Sequence, residues 1–229
     1  MSLDPARAAD PLVIAVDGPA ASGKSTIAKA LAGRFGLAFL DTGLLYRAVG
    51  RKLLDCGLDP ADAEAALKAA ETLQASDVDE AKLTGDETGQ AGSKVAAVPS
   101  VRAVLLPFQR NVARSAPGAV LAGRDVGTVI CPDAAVKLFI TASVEERANR
   151  RFAELHQRGA NPIRAQVLED MIERDRRDTS RSVAPLRVAD DAHVLDTTQL
   201  SLDATLAAAA ELVRLSLVRA GRRDEAASG

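Results

Sequence analysis

An α/β fold with a parallel sheet and helices on both faces follows from three features of this 229-residue sequence. Short apolar runs alternate with segments of helical spacing, the first run passes through a glycine-rich turn straight into a helix, and glycine or proline marks most of the joints. Leu12–Asp17 reads as a buried parallel strand, being apolar throughout until it ends in Asp-Gly-Pro. Lys24–Phe35 places Ile27, Ala28, Leu31 and Phe35 on one helical face. Leu37–Leu40 is a second strand. Thr42–Asp55 is a helix that Gly57 stops. Asp59-Pro60 reads as cap and first-turn proline for a helix over 61–73. Asp77–Gly92 is polar and acidic, and is expected to be a surface connection without strong structure. Pro99 opens a helix to about Ser115, 119–122 and 135–140 are strands, and Ser143-x-x-Glu146 is a capping box for a helix to about Arg158. After the Gly159–Pro162 break come a helix over 163–177, a strand at 193–195 and a long Ala/Leu helix from Ser201 to about Ala220.

Two segments stand outside the alternation: 42–118 is mostly helical, and 151–166 holds an Arg-bounded Gly/Pro break. Both are expected as excursions near the strand ends, where ligands bind in such folds. The core is then 12–41 with 119–220. Met1–Pro11 and Arg222–Gly229 read as loose tails.

Hydrophobic residues make up 47% and charged residues 26% of the chain, and the net charge is −2, which argues against a nucleic acid or a membrane surface as partner. No apolar run approaches a membrane span and no secretory leader is evident, so the expected location is the cytoplasm. Cys56 and Cys131 read as two buried thiols, and His156 and His193 are too isolated for a zinc site. Seven of the 29 basic residues are Lys and 22 are Arg. That skew fits either bound oxyanions, which guanidinium grips bidentately, or a GC-rich coding sequence.

Gly18-Pro19-Ala20-Ala21-Ser22-Gly23-Lys24-Ser25 matches G-x-x-x-x-G-K-[ST] in the required strand–turn–helix context, and Thr26 follows. This is a P-loop, so the fold is that of P-loop NTPases. Its backbone N–H groups and helix N-terminus attract phosphate, Lys24 reaches the β- and γ-phosphates of ATP, and Ser25 offers a hydroxyl to Mg²⁺. A hydrolase of this class wants an acid at the end of an apolar strand to hold Mg²⁺, but the 135–140 run ends in Thr141. No Asn-Lys-x-Asp motif occurs, and Asp86-x-x-Gly89 follows no strand. Transfer to a bound acceptor is favoured over hydrolysis. Phosphoryl transfer between two anionic substrates needs converging positive charge. Candidates are Arg124, beside Asp125 after the 119–122 strand, and the 174–181 stretch. There a helix places Arg174, Arg177 and Asp178 on one face with Arg181 one turn on.

Four stretches together resemble bacterial cytidylate kinases, members of the nucleoside monophosphate kinases: D-G-P-A-A-S-G-K-S-T at 17–26, L-D-T-G-L-L-Y-R at 40–47, G-R-D-V-G-T at 123–128 and E-R-D-R-R-D-T-S-R-S-V-A-P-L at 173–186. The likeness runs from about Leu12 to Ala220 and implies phosphorylation of CMP or dCMP by ATP with Mg²⁺, by a monomer. It implies that 42–118 is the acceptor-binding insertion and 151–166 a mobile lid. It makes Arg47, Arg124 and Arg181 the clamp on the acceptor phosphate, and Asp178 with Arg174 the ribose contact. Asp125 and Arg102, with Ser93, become readers of the cytosine edge, and Thr42 faces the acceptor. Lys24, Arg124, Arg181 and Asp125 form the catalytic set, and Arg150, among the lid arginines Arg147, Arg150, Arg151 and Arg158, reaches ATP. The chain departs from the resemblance at Ala122, where many relatives have Asp or Glu, and in a shortened 73–93 connection. Competing readings are a P-loop kinase for shikimate, gluconate or another nucleotide, and a nucleotide switch that transfers nothing.

Overall fold

A computed structural model describes residues 10–219 and 221; the tail expected at 222–229 and most of that at 1–11 lie outside them. Five strands form the sheet: β1 (Leu12–Asp17), β2 (Ala38–Asp41), β3 (Gly118–Gly123), β4 (Val136–Thr141) and β5 (His193–Asp196). All neighbours are parallel, in the order β2-β3-β1-β4-β5. The two central neighbours run in register from Leu12 opposite Gly118 to Asp17 opposite Gly123. Strands covered on both faces carry apolar side chains in both directions. Ile14, Val16, Val120, Leu138 and Ile140 pack beneath α1 (Lys24–Phe35) and α8 (Leu202–Arg219), while Ala15, Ala119 and Leu121 point to the other face. Each fully buried Ile or Leu contributes about 1.5–3 kcal/mol relative to exposure.

A second core lies beyond the strand ends. There α2 (Thr42–Asp55), α3 (Ala63–Glu71), α4 (Asp86–Val95) and α5 (Pro99–Arg114) enclose Leu45, Val49, Leu53, Val95, Val101 and Leu105. Helices α6 (Val144–Gln157) and α7 (Arg164–Thr179) flank the 158–163 break and bury Ala148, Val167 and Met171 against Ala20 of the glycine-rich turn. Ser143 caps α6 by accepting the Glu146 N–H (3.2 Å), while the Glu146 carboxylate pairs with Arg150 instead of closing the capping box.

Three further expectations are corrected. The 77–92 segment is not unstructured at its C-terminal half, because α4 begins at Asp86. Its buried face consists of Thr88, Gly89, Ala91, Gly92, Ser93 and Val95, of which only Val95 is large and apolar, too little to give an apolar stripe. Small size is what the packing requires: a Cβ on Gly92 would lie 2.9 Å from the Arg47 side chain, and one on Gly50 2.9 Å from Ala91. Helix α3 is capped by Asp62, which accepts the Glu64 and Ala65 N–H groups (3.0 and 3.1 Å), not by Asp59, which closes the preceding turn through Ala61. Cys56 is exposed because it occupies the C-cap of α2 ahead of Gly57, whereas Cys131 is buried.

Candidate active site

The P-loop joins β1 to α1, and Gly18 shows why its first residue lacks a side chain. Its φ is +152°, and a Cβ there would stand 2.0 Å from the Ile140 carbonyl oxygen of β4. Lys24 is buried and its ammonium donates to the Pro19 carbonyl (3.1 Å). Burial, reinforced by Arg124, pushes the Lys24 pKa well down. The Ser25 hydroxyl donates to Asp41 Oδ2 (2.7 Å) at the end of β2, and Asp41 Oδ1 caps α2 by accepting the Gly43 N–H (2.9 Å). Asp41 is therefore a fixed carboxylate beside the P-loop hydroxyl.

Opposite the loop, β3 ends in Gly123 and delivers Arg124 and Asp125. Arg124 Nε donates to Asp178 Oδ2 (2.9 Å), and Arg181 pairs with the other oxygen of the same carboxylate. Asp178 is 1% exposed. Burial alone would raise its pKa, but Arg124, Arg181 and Arg174 hold it well below the usual carboxylate range. Ser93 of α4 donates to Asp178 Oδ1 (3.2 Å) and accepts from Arg177 (3.0 Å). Arg174 is less well compensated: burial first, then Arg124, push it down to about 9. The Nε atoms of Arg174 and Arg181 are buried and find no acceptor among the described residues. Farther in, Asp125 pairs with Arg102, and the Arg102 guanidinium lies 5.4 Å above the Tyr46 ring. Thr42 donates to the Ala122 carbonyl (2.9 Å), tying α2 to β3.

These groups line one cleft of about 730 Å³. The wall includes Ala20, Ala21, Gly23, Lys24, Ser25 and Thr26 of the P-loop, and Thr42, Arg47, Ser93, Arg102, Arg124, Asp125, Arg150, Arg174, Asp178 and Arg181 beyond it. Gly18, Pro19 and Ser22 lie off that wall: Gly18 backs onto β4, and the Pro19 carbonyl holds Lys24. The lid arginines divide. Arg147 is buried off the wall, bonded to Asp175 (2.6 and 3.2 Å) and to the carbonyls of Ala142 and Ala20 (2.9 and 3.3 Å). It braces the P-loop against α7. Arg150 faces the cleft with its N–H groups engaged by Glu146 and Thr197 (2.7–3.0 Å). Arg151 reaches across to Asp86 (3.4 Å) and Arg158 pairs with Glu154. Tyr46 both packs and lines the cleft; His156 is exposed.

Two site residues escaped the sequence reading. Asp41 stood in a quoted motif without a role; its place directly before a helix N-terminus was the available signal. Asp17 accepts the N–H groups of Val126 (2.8 Å) and Gly127 (2.7 Å), a contact more than 100 residues long that no local pattern announces.

The family model for cytidylate kinase matches residues 14–215. This chain belongs to the cytidylate kinase family. Among the curated relatives, the cytidylate kinase of Paramagnetospirillum magneticum is 56% identical over 204 residues, spanning 88% of this chain and 97% of its own length. That of Rhodopseudomonas palustris is 50% identical over 212 residues, spanning 93% and 99%. Two solved structures share the fold at low identity. A gluconokinase from Sinorhizobium meliloti has a TM-score of 0.50 at 17% identity, covering 92% of this chain and 97% of its own. An uncharacterised protein from Eubacterium ventriosum has a TM-score of 0.52 at 14% identity, covering 90% and 98%. The cytidylate kinase match at half or more identity decides among the P-loop kinases that share this fold. No helix among the described residues is long and apolar enough to cross a membrane.

Proposed function

We infer that this chain transfers the γ-phosphoryl group of ATP to CMP or dCMP, giving ADP and CDP or dCDP. The observation that carries this reading is that Lys24 of the P-loop and the cluster of Arg47, Arg124, Arg174 and Arg181 face one cleft, with the Asp125–Arg102 pair at its inner end. A triphosphate on the P-loop and a monophosphate on the arginines fill that cleft from two sides. We assign Gly18–Thr26 and Arg150 to the donor. Arg47, Arg124 and Arg181 take the acceptor phosphate, with Arg174, Asp178 and Ser93 around the sugar and base. Thr42 borders this end. Cytosine presents an amino donor that Asp125 can accept and ring acceptors that Arg102 can reach; uracil presents a carbonyl where Asp125 wants a donor.

Lys24 and the arginines neutralise charge that spreads over the equatorial oxygens during transfer, and Arg124 with Arg181 sits where the two phosphates meet. No covalent intermediate is required. Asp125 serves catalysis by fixing the acceptor, not as a base. The Ser25 hydroxyl and the Asp41 carboxylate, 2.7 Å apart, are hard oxygen donors of the kind Mg²⁺ takes alongside substrate phosphates and water. Ser25 and Asp41 would hold Mg²⁺ there, and the ion would supply positive charge against the phosphates. We propose a monomer, as the family resemblance implies, with 42–118 as the acceptor-binding insertion and 151–166 as the lid. Closure of both would exclude water and suppress ATP hydrolysis.

The test is ADP release with CMP, dCMP, UMP, AMP, GMP, shikimate and gluconate as acceptors. CMP and dCMP are expected to lead, and Lys24→Ala to remove nearly all transfer to either. Equal rates for AMP and CMP, or an active Lys24→Ala variant, overturn the reading.

A further inference from the structure

Asp17 is nearly fully buried at the exact junction between the two halves of the site: it ends β1, and the next residue opens the P-loop. Its carboxylate does not point into the cleft. One oxygen accepts the Val126 N–H (2.8 Å) and the other the Gly127 N–H (2.7 Å), so both are engaged by consecutive amides. Those amides follow directly on Asp125. They open a five-residue π-type turn, Val126–Ile130, whose Val129 and Ile130 N–H groups return to the Asp125 carbonyl (2.9 and 3.1 Å). Single π-type turns of this kind recur at functional sites. The backbone around the carboxylate leaves no room for side chains: a Cβ on Gly127 would lie 3.1 Å from Lys137, and one on Gly123 2.6 Å from the Thr42 hydroxyl and 2.7 Å from Val126.

We infer that Asp17 is a positioning residue for acceptor specificity, fixing the Arg124-Asp125 dipeptide relative to the P-loop. This deepens the proposed function and rests on its assignment of Asp125 to the cytosine edge. A bidentate carboxylate is the group that can satisfy two parallel N–H donors; an amide can satisfy one and sets its own N–H₂ against the other. The carboxylate remains here although burial, the largest influence, raises its pKa to about 6 against the pull of the Gly127 and Val126 amides. A residue needed only to fill space would not require that charge.

The test is Asp17→Asn, compared with wild type for kcat/KM on CMP and UMP and for ATP affinity by titration with a fluorescent ATP analogue. The expected result is a CMP-over-UMP preference reduced at least tenfold, ATP affinity changed less than threefold, and a cooperative thermal melt retained. An unchanged preference in the folded variant overturns the inference, as does a loss confined to ATP affinity. If Asp17→Asn does not fold, Asp17→Ser carries the same comparison. Independently of any variant, the Val126 and Gly127 amides of the wild-type protein should exchange slowly with solvent; rapid exchange at either overturns the inference. A wild-type enzyme with no preference for CMP would instead defeat the assignment of Asp125 and so the proposed function itself.

Discussion

Replacing Asp125 with asparagine separates base reading from the rest of the site. Asp125 is 3% exposed and Arg102 is 7% exposed, and they form a buried ion pair under the acceptor end of the cleft. Asparagine keeps the shape and one carbonyl oxygen but removes the charge. Breaking a buried pair by deleting one partner costs about 3–5 kcal/mol. Because the amide oxygen can still accept from Arg102, the loss of stability should fall at or below about 3 kcal/mol. The effect on transfer is of a different kind. A hydrogen bond from the cytosine amino group to a carboxylate is worth about 1.5–3 kcal/mol, so kcat/KM for CMP should fall about 10- to 100-fold. For UMP the wild-type carboxylate faces a carbonyl, and asparagine can turn a donor toward it. UMP should lose nothing or gain, so the CMP-to-UMP ratio should drop about 10- to 100-fold or more. The assay is coupled ADP release at subsaturating acceptor, with a thermal melt of each sample. Equal losses for CMP and UMP in a folded variant would refute the assignment of Asp125 to the base.

Two further perturbations follow from the electrostatics of the cleft. Arg174 is half-buried, and its desolvation together with Arg124, Arg47 and Arg151 pushes its pKa down to about 9, so its charge destabilises the ligand-free fold. Arg174→Met should raise the ligand-free melting temperature by at least about 3 °C while raising the CMP KM about tenfold or more; a lower melting temperature would contradict the account. Asp17 gives a pH signature. Its folded pKa of about 6 exceeds the unfolded 3.8, so its contribution to stability is fully present below 3.8 and is lost as pH rises through about 6. Between pH 7 and 5 this amounts to about 1 kcal/mol in favour of the lower pH. Asp178, whose pKa is depressed, acts in the opposite sense, losing its contribution only as pH falls below the ordinary carboxylate range. Wild type should therefore gain about 2–4 °C more than Asp17→Asn on going from pH 7 to 5 in thermal melts, and a smaller gain for wild type would be evidence against it.

The sheet was legible because parallel strands buried on both faces are near-continuous apolar runs, and Leu12–Asp17 and 135–140 are such runs. Helix α4 was not, because apart from Val95 its buried face is built from Thr88, Gly89, Ala91, Gly92 and Ser93, whose value lies in being small enough for α2 to approach. The same logic separates the site residues. The P-loop is read directly from its spacing, since backbone conformation and phosphate contact both depend on those glycines. The arginines were visible as a crowd but not as a shape. That Arg124 and Arg181 share the Asp178 carboxylate while Arg102 takes Asp125 is decided by tertiary packing. Arg147 was grouped with the lid on sequence proximity, yet its bonds to Asp175 and the Ala20 carbonyl make it a brace for the P-loop.

The balance of charge in the cleft explains why two nucleotides should be handled together. Asp125 is committed to Arg102, Asp41 to Ser25 and the α2 cap, and Asp178 is shared by two guanidinium groups. Lys24, Arg47 and Arg174 are thus left with more positive charge than the protein offsets, and burial lowers the pKa of all three. On the proposed assignment, a triphosphate at the P-loop would relieve Lys24 but leave the opposite wall unbalanced. A monophosphate held by Arg47, Arg124 and Arg181, as proposed, would complete the neutralisation. The cost of holding these groups close together without ligand is what preorganises them for the transition state, where negative charge is shared between both phosphates. On that assignment ATP bound alone would meet an unneutralised acceptor wall, and the arrangement that favours transfer would form fully only with the acceptor, not water, opposite the γ-phosphate.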